Sequence, residues 1–189
     1  MKKNILSFIL FLSTLTIYGQ SIFESYANND DVTLVSISPK MFKMLGKMSM
    51  SVDDPEAREF IEMVTSINNF KVLVSSNKDI SSDMFNWVNQ EVNNRGLEEL
   101  MSVKDQDVDA SFYVKNGKDD DHVEQLLMYV NERKLENKNA KLKFKGIAIE
   151  SVLLLIEGDI DLNQISKLTE KMNLPGGNQL KKVQKIKPL

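Results

Sequence analysis

Cysteine is absent from this chain of 189 residues, and histidine occurs once, at His122. Without cysteine there can be no disulfide framework, thiol nucleophile, Cys-ligated zinc, iron–sulfur cluster or thioether lipid anchor. A single histidine excludes a metal site built from several imidazoles, and it leaves a Ser–His–Asp triad with only one candidate base. These two absences remove most metal and nucleophilic chemistry from consideration.

Two further motifs are missing. No serine lies in a Gly-x-Ser-x-Gly nucleophile elbow, and no glycine-rich loop is present to hold a phosphate. Pro175-Gly176-Gly177 has the composition of a helix stop instead. The sequence therefore identifies no catalytic residue, no cofactor-binding residue and no metal ligand, and it indicates no cofactor.

The composition is that of an ordinary globular protein, with 42% hydrophobic residues and a formal net charge of −3. A chain of this length can bury roughly 70% of its unfolded surface, so it can form one core without disulfides. The excess of acidic residues disfavours nucleic acid as the main partner.

Residues 1–19 have the organisation of a secretory signal peptide. Lys2 and Lys3 precede the apolar run Ile5–Ile17, and Gly19 precedes a plausible cleavage point. The run is shorter than the roughly 20 residues that cross a bilayer, although an uncleaved signal anchor is the alternative. Cleavage would remove two lysines and no acid, which changes the net charge to −5. We expect an exported protein, periplasmic or extracellular, without a lipid anchor or a transmembrane span.

Residues 20–189 are predicted to form a single α+β domain that ends in a basic tail at about residues 179–189. The predicted order is β-α-α-β-α, then four successive strands and a final helix. Runs of strands beside segregated helices favour a mainly antiparallel sheet with helices packed on one face. The predicted strands are Val32–Ile37, Phe70–Ser75, Leu100–Lys104, Val108–Lys115, His122–Asn131 and Ile147–Gly158. The predicted helices begin at Ser38-Pro39, Asp54-Pro55, about Ser82 and Asp161.

Two glycines carry turn signals. Asn116-Gly117 predicts a β-hairpin because both residues accept a positive φ. Gly96 follows the third predicted helix, which runs to Arg95, and is expected to end it in the left-handed conformation.

Three aspartates, Asp105, Asp107 and Asp109, have the spacing of the first half of a calcium loop. Ala110 stands where such a loop needs glycine, and Asn116 stands where it needs a bidentate glutamate. The pattern therefore favours a solvated turn between strands over a cation site.

A second acidic cluster, Asp119–Asp121, directly precedes His122. Oxygen ligands beside one imidazole could hold a metal or form a pH-sensitive group. Its position after Asn116-Gly117 favours a polar hairpin tip, and the metal site stays as the alternative.

Basic and methionine-rich stretches are the remaining candidates for contact with a partner. Lysines in a connector and in the C-terminal tail favour solvated segments, with an anionic surface as the alternative ligand. These lysines are Lys134, Lys138, Lys141, Lys143, Lys145, Lys181, Lys182, Lys185 and Lys187. Methionines at helical spacing are expected in the core, although a Met-rich surface can also form a groove for a partner. They are Met41, Met44, Met48, Met50 and Met63.

Several blocks of the chain together resemble a known bacterial family, the domain of unknown function 4252. These blocks are Val32–Ile37 with Ser38–Phe42, Phe70–Leu73, Leu97–Val103 and Leu153–Leu162. The resemblance covers nearly all of the chain after residue 19. It implies a small exported envelope protein and assigns no reaction.

The leading hypothesis is an exported, non-catalytic domain that binds an unidentified envelope protein or an anionic surface. The alternatives are a carboxylate-dependent hydrolase, with acids among Asp105–Asp109 or Asp119–Asp121, and a weak cation-binding module.

Overall fold

The computed structural model describes residues 21–48, 55–104, 108–132, 143–144 and 147–162. Its centre is a six-stranded, fully antiparallel sheet. The strands of this sheet are β1 (Val32–Ile37), β2 (Ile67–Ser75), β3 (Glu98–Lys104), β4 (Val108–Asn116), β5 (His122–Glu132) and β8 (Ser151–Asp161). Their order in the sheet is β1-β2-β8-β5-β4-β3. Two short strands, β6 (Lys143–Phe144) and β7 (Ile147–Ala148), pair with each other.

Four helices lie within the described residues: α1 (Ile22–Ser25), α2 (Pro39–Met48), α3 (Pro55–Thr65) and α4 (Lys78–Arg95). Proline opens α2 and α3, as expected for a residue without an amide hydrogen. The α4 helix starts four residues earlier than predicted because the Asn77 side chain caps it, accepting from the amides of Asp79 and Ile80. Gly96 ends α4 at φ 63°, so the predicted left-handed cap is confirmed. None of the described helices has the length and apolarity to cross a membrane.

The central strands are covered on both faces. Even-numbered residues of β2, β5 and β8, such as Leu154, pack in one cluster with Phe42 of α2 and Val64 of α3. Odd-numbered residues, such as Leu153, pack in a second cluster with Met84 of α4. The mainly antiparallel α+β class is therefore confirmed, whereas the prediction that helices pack on one face is not. The unbroken apolar run in β8 reflects this two-sided burial.

The chain is irregular where β8 passes β2 and β5. The register shifts between Ile67 and Asn69 on one side, and between Val123 and Gln125 on the other. Gly158 lies at this level of the sheet and has a φ of 151°, a backbone conformation that residues other than glycine rarely adopt. A β-bulge of this kind bends a strand and redirects its side chains.

The hairpin predicted at Asn116-Gly117 is confirmed: it joins β4 to β5 through a five-residue loop, residues 117–121. Gly117 does not have a positive φ. Asp119 closes the loop instead, because its Oδ1 accepts from the amide of Asp121 at 3.1 Å. Asp161, the predicted cap of the last helix, is the final residue of β8, and Leu162 directly after it is helical; residues from 163 onward lie outside the described residues.

Candidate functional site

Four polar side chains form a line across four neighbouring strands. Lys115 of β4 is paired with Gln125 of β5, which is paired with Glu157 of β8, which is paired with Asn69 of β2. Paired residues on adjacent strands have side chains roughly 5 Å apart, so these four groups are neighbours. We call them the polar row.

The last turn of α4 faces the polar row through Arg95. Its Nη1 donates to Glu157 Oε1 at 3.1 Å and to Gln125 Oε1 at a longer 3.5 Å, and its Nε pairs with Glu91 at 2.5 Å. Asn69 Nδ2 donates to the other oxygen of Glu157 at 2.8 Å. A cation in the last helical turn also interacts favourably with the helix dipole. Arg95 therefore connects α4 to the row, although its side chain stays 51% exposed.

A cleft of about 400 Å³ opens at this place, which is within the usual range for small-molecule sites. Two cations, two carboxylates and one amide line it, so their formal charges cancel. The lining residues are Arg95, Lys115, Glu124, Gln125 and Glu157. Lys115 and Glu124 form an ion pair of 2.8 Å, and both are about half exposed. Such a surface pair contributes little energy, so either group can exchange its partner for a ligand.

Gln125 has unused hydrogen-bonding capacity. Its side chain is 3% exposed, and its Nε2 has no hydrogen-bond partner among the described residues. A buried donor without an acceptor costs roughly 1–3 kcal/mol. This cost makes Gln125 a functional candidate, because an apolar side chain of similar size would avoid it.

Glu91, one turn before Arg95 on α4, has a raised pKa. Burial raises its pKa, the nearby Arg95 lowers it, and the negative charge of Glu157 raises it further. Glu91 and Glu157 both bond to Arg95. Two carboxylates that bond to the same guanidinium group hold that group in position. A catalytic acid–base pair instead needs two accessible groups in opposed environments, so this arrangement favours a positioning role for Glu91 and Glu157.

None of the described members of the predicted acidic clusters lines the cleft. Asp105 and Asp107 lie outside the described residues, and Asp109 lies in β4 opposite Asn131. Asp119 and His122 do come together, at 2.6 Å, and this hydrogen bond lowers the pKa of Asp119. Within the described ranges, no group of three or more His, Asp or Glu side chains is placed to hold a metal ion.

Ser75 and Lys78 have the Ser-x-x-Lys spacing of some acyl-transfer enzymes. The structure gives Ser75 another role. Its hydroxyl is buried at the end of β2, where it accepts from the Asn77 amide at 3.0 Å and contacts the Asn77 carbonyl at 3.3 Å. Ser75 thus shapes the turn before α4.

The basic and methionine-rich stretches are only partly described. The predicted connector and tail lysines lie outside the described residues, apart from Lys143, for which only the backbone is described. Met41 and Met44 are 49% and 52% exposed, so the expectation of a core position is wrong for both. Their helix buries Phe42 instead.

The sequence patterns do not predict the polar row, although two of its residues carry a weak signal. Gln125 directly precedes the apolar run of β5, and Glu157 directly follows the apolar run of β8. Either residue alone resembles an ordinary strand end. Only the strand register shows that they are neighbours.

Comparison with known proteins gives one family match. A family model with the description "Domain of unknown function (DUF4252)" matches residues 26–168, a span that contains the whole cleft. No curated protein and no solved structure matches the chain.

Proposed function

The chain belongs to the DUF4252 family, a membership that specifies no reaction, and from this premise we propose that it is an exported, non-catalytic binding domain of the bacterial envelope. The observation that supports binding is the cleft over the polar row, with its buried, unused Gln125 donor. The described residues that line it include neither a histidine nor a hydroxyl or thiol nucleophile. We take this cleft as the ligand site.

The lining favours a neutral polar ligand. Because its two cations and two carboxylates cancel, an ion would gain little net attraction there. Gln125 Nε2 supplies a donor, and the carboxylates of Glu124 and Glu157 supply acceptors. A group that both accepts and donates, such as a secondary amide, uses both kinds of partner. Secondary amides occur in peptides and in N-acetyl sugars.

Arg95 lies next to the side-chain amide of Gln125. Gln125 Nε2 is buried, and the nearby guanidinium of Arg95 holds Gln125 Oε1 through a long bond of 3.5 Å. Since Arg95 is about half exposed, its side chain can turn outward when a ligand oxygen takes the Nε2 hydrogen bond. The ligand then satisfies a buried group that is unsatisfied in the free protein.

Binding is tested by titrating the ¹⁵N-labelled protein with N-acetylglucosamine and with N-acetylalanine methylamide, while sodium acetate serves as an anionic control. We expect one amide probe to shift the Gln125 side-chain NH₂ signal, and acetate to shift it less. Gln125→Met should abolish binding while leaving stability equal or higher, because it removes the unsatisfied donor.

Gln90→Met is the matched control, since Gln90 is exposed on α4. It should bind like the unaltered protein. Unchanged affinity in Gln125→Met, or no response to either amide probe, would contradict the proposed site.

Export is supported by the order of charged, apolar and small residues in residues 1–19. Mass analysis of the protein recovered outside the cytoplasm should find Gln20 as the first residue. A chain recovered there with Met1 intact would contradict cleavage.

A further inference from the structure

The α2 helix presents three lysines and two methionines to solvent: Lys40, Met41, Lys43, Met44 and Lys47. We call them the α2 face. At 3.6 residues per turn, the lysines share one side of this face and the methionines share the adjacent side. The helix therefore separates its exposed charge from its exposed apolar surface.

The charge of the α2 face is of one sign. The helix sequence PKMFKMLGKM contains no acidic residue. Lys40, Lys43 and Lys47 form no ion pair with another described residue, including the exposed Glu62 on α3. This local positive charge stands out in a chain whose formal net charge is −3. A cationic patch of this kind attracts an anionic surface.

Packing against the sheet and against α3 fixes the orientation of the α2 face. Phe42, on the opposite side of the helix, is 2% exposed and packs edge-to-face on Phe70 of β2 at 6.4 Å. Thr65 of α3 lies so close to Gly46 that a side chain there would collide with it. The helix is thus fixed between the sheet and α3, and the two methionines cannot turn inward without breaking this packing.

We propose that the α2 face docks on the surface of a lipid bilayer that contains anionic lipids. Each lysine near such a surface contributes attraction, while its alkyl chain lies along the apolar boundary. The unbranched methionine side chains insert at the level of the headgroups, as in helices that lie in the plane of a membrane. Anionic headgroups match the lysines, and the acyl boundary matches the methionines. The inference is independent of the cleft.

The test measures how the protein partitions onto vesicles of phosphatidylcholine, with and without phosphatidylglycerol. The protein is used with the N-terminus that it has when purified from the producing cells. Binding should require phosphatidylglycerol and weaken as salt is raised. Replacing all three lysines with glutamine (Lys40→Gln, Lys43→Gln, Lys47→Gln) should lower the partition coefficient about a hundredfold, at about fivefold per lysine. Met41→Ser with Met44→Ser should lower it by at least about tenfold.

A control variant carries the same charge change elsewhere, as Lys78→Gln, Lys104→Gln and Lys118→Gln, on exposed positions outside α2. It should keep most of the binding, and all variants should melt within a few degrees of the unaltered protein. The proposal is overturned if the two lysine variants lose binding equally, or if vesicles without phosphatidylglycerol bind as well. Absence of vesicle binding, with the α2 lysines needed instead to capture an envelope protein, would also overturn it.

Discussion

Gly158 shows how one residue permits the bend that brings the polar row together. It lies beside Glu157, at the level where the pairing of β8 with β2 and β5 shifts register. A Cβ atom at this position would press against the Ser66 carbonyl oxygen and lie 2.9 Å from Ile67 Cα. The φ of 151° belongs to a region that is essentially restricted to glycine. Two independent constraints therefore require glycine here.

Gly158→Ala should lower the free energy of unfolding by more than about 2 kcal/mol, because backbone strain and a collision with backbone atoms add together. For a chain of this size, the melting temperature should fall by more than about 5 °C. Gly96→Ala is the matched control: Gly96 also has a positive φ, at 63°, but nothing lies within 4 Å of the added Cβ. It should cost only about 1 kcal/mol. Equal losses in thermal denaturation would show that the close approach of Ser66 has no energetic effect.

At the scale of elements, the sequence predicted where strands and helices occur better than how they join. The strand β1 has the predicted bounds, Val32–Ile37, because β-branched residues between polar segments leave little ambiguity. The β4–β5 hairpin occurs where Asn116-Gly117 predicts it, but Gly117 lacks a positive φ because the Asp119 side chain closes a five-residue loop. The predicted start of α4 is later than the observed one, because the capping residue Asn77 lies before the apolar spacing begins.

Helical spacing also does not predict which side of α2 is buried. It groups Met41 with Met44, but it does not decide which side of the helix meets the sheet. Phe42 takes that place, since an aromatic ring buries more apolar surface than a methionine and finds Phe70 as its partner. The exposed α2 face is thus a consequence of tertiary packing.

For the whole molecule, the class of fold was predictable and the candidate site was not. Runs of strands beside segregated helices predict a mainly antiparallel α+β domain, which the structure confirms. The polar row depends on residues 69, 115, 125 and 157 meeting at one level of the sheet, and this follows from strand order and register. Local sequence patterns do not reveal the strand order or the register, because both are set by long-range strand pairing and by the bulges beside Gly158.

The two-sided core gives a direct test of the whole architecture. Leu153 and Leu154 are adjacent in β8, are fully buried, and point into opposite clusters, one under α4 and the other with α2 and α3. Leu153→Ala and Leu154→Ala should therefore each lower the free energy of unfolding by about 2–5 kcal/mol, measured by urea denaturation. Met44→Ala, on the exposed face of α2, should change it by less than about 0.5 kcal/mol. Helices on one face alone would leave one leucine at the solvent-facing surface of the sheet. In that case, one of the two substitutions would cost under about 1 kcal/mol, and the two-sided arrangement would be wrong.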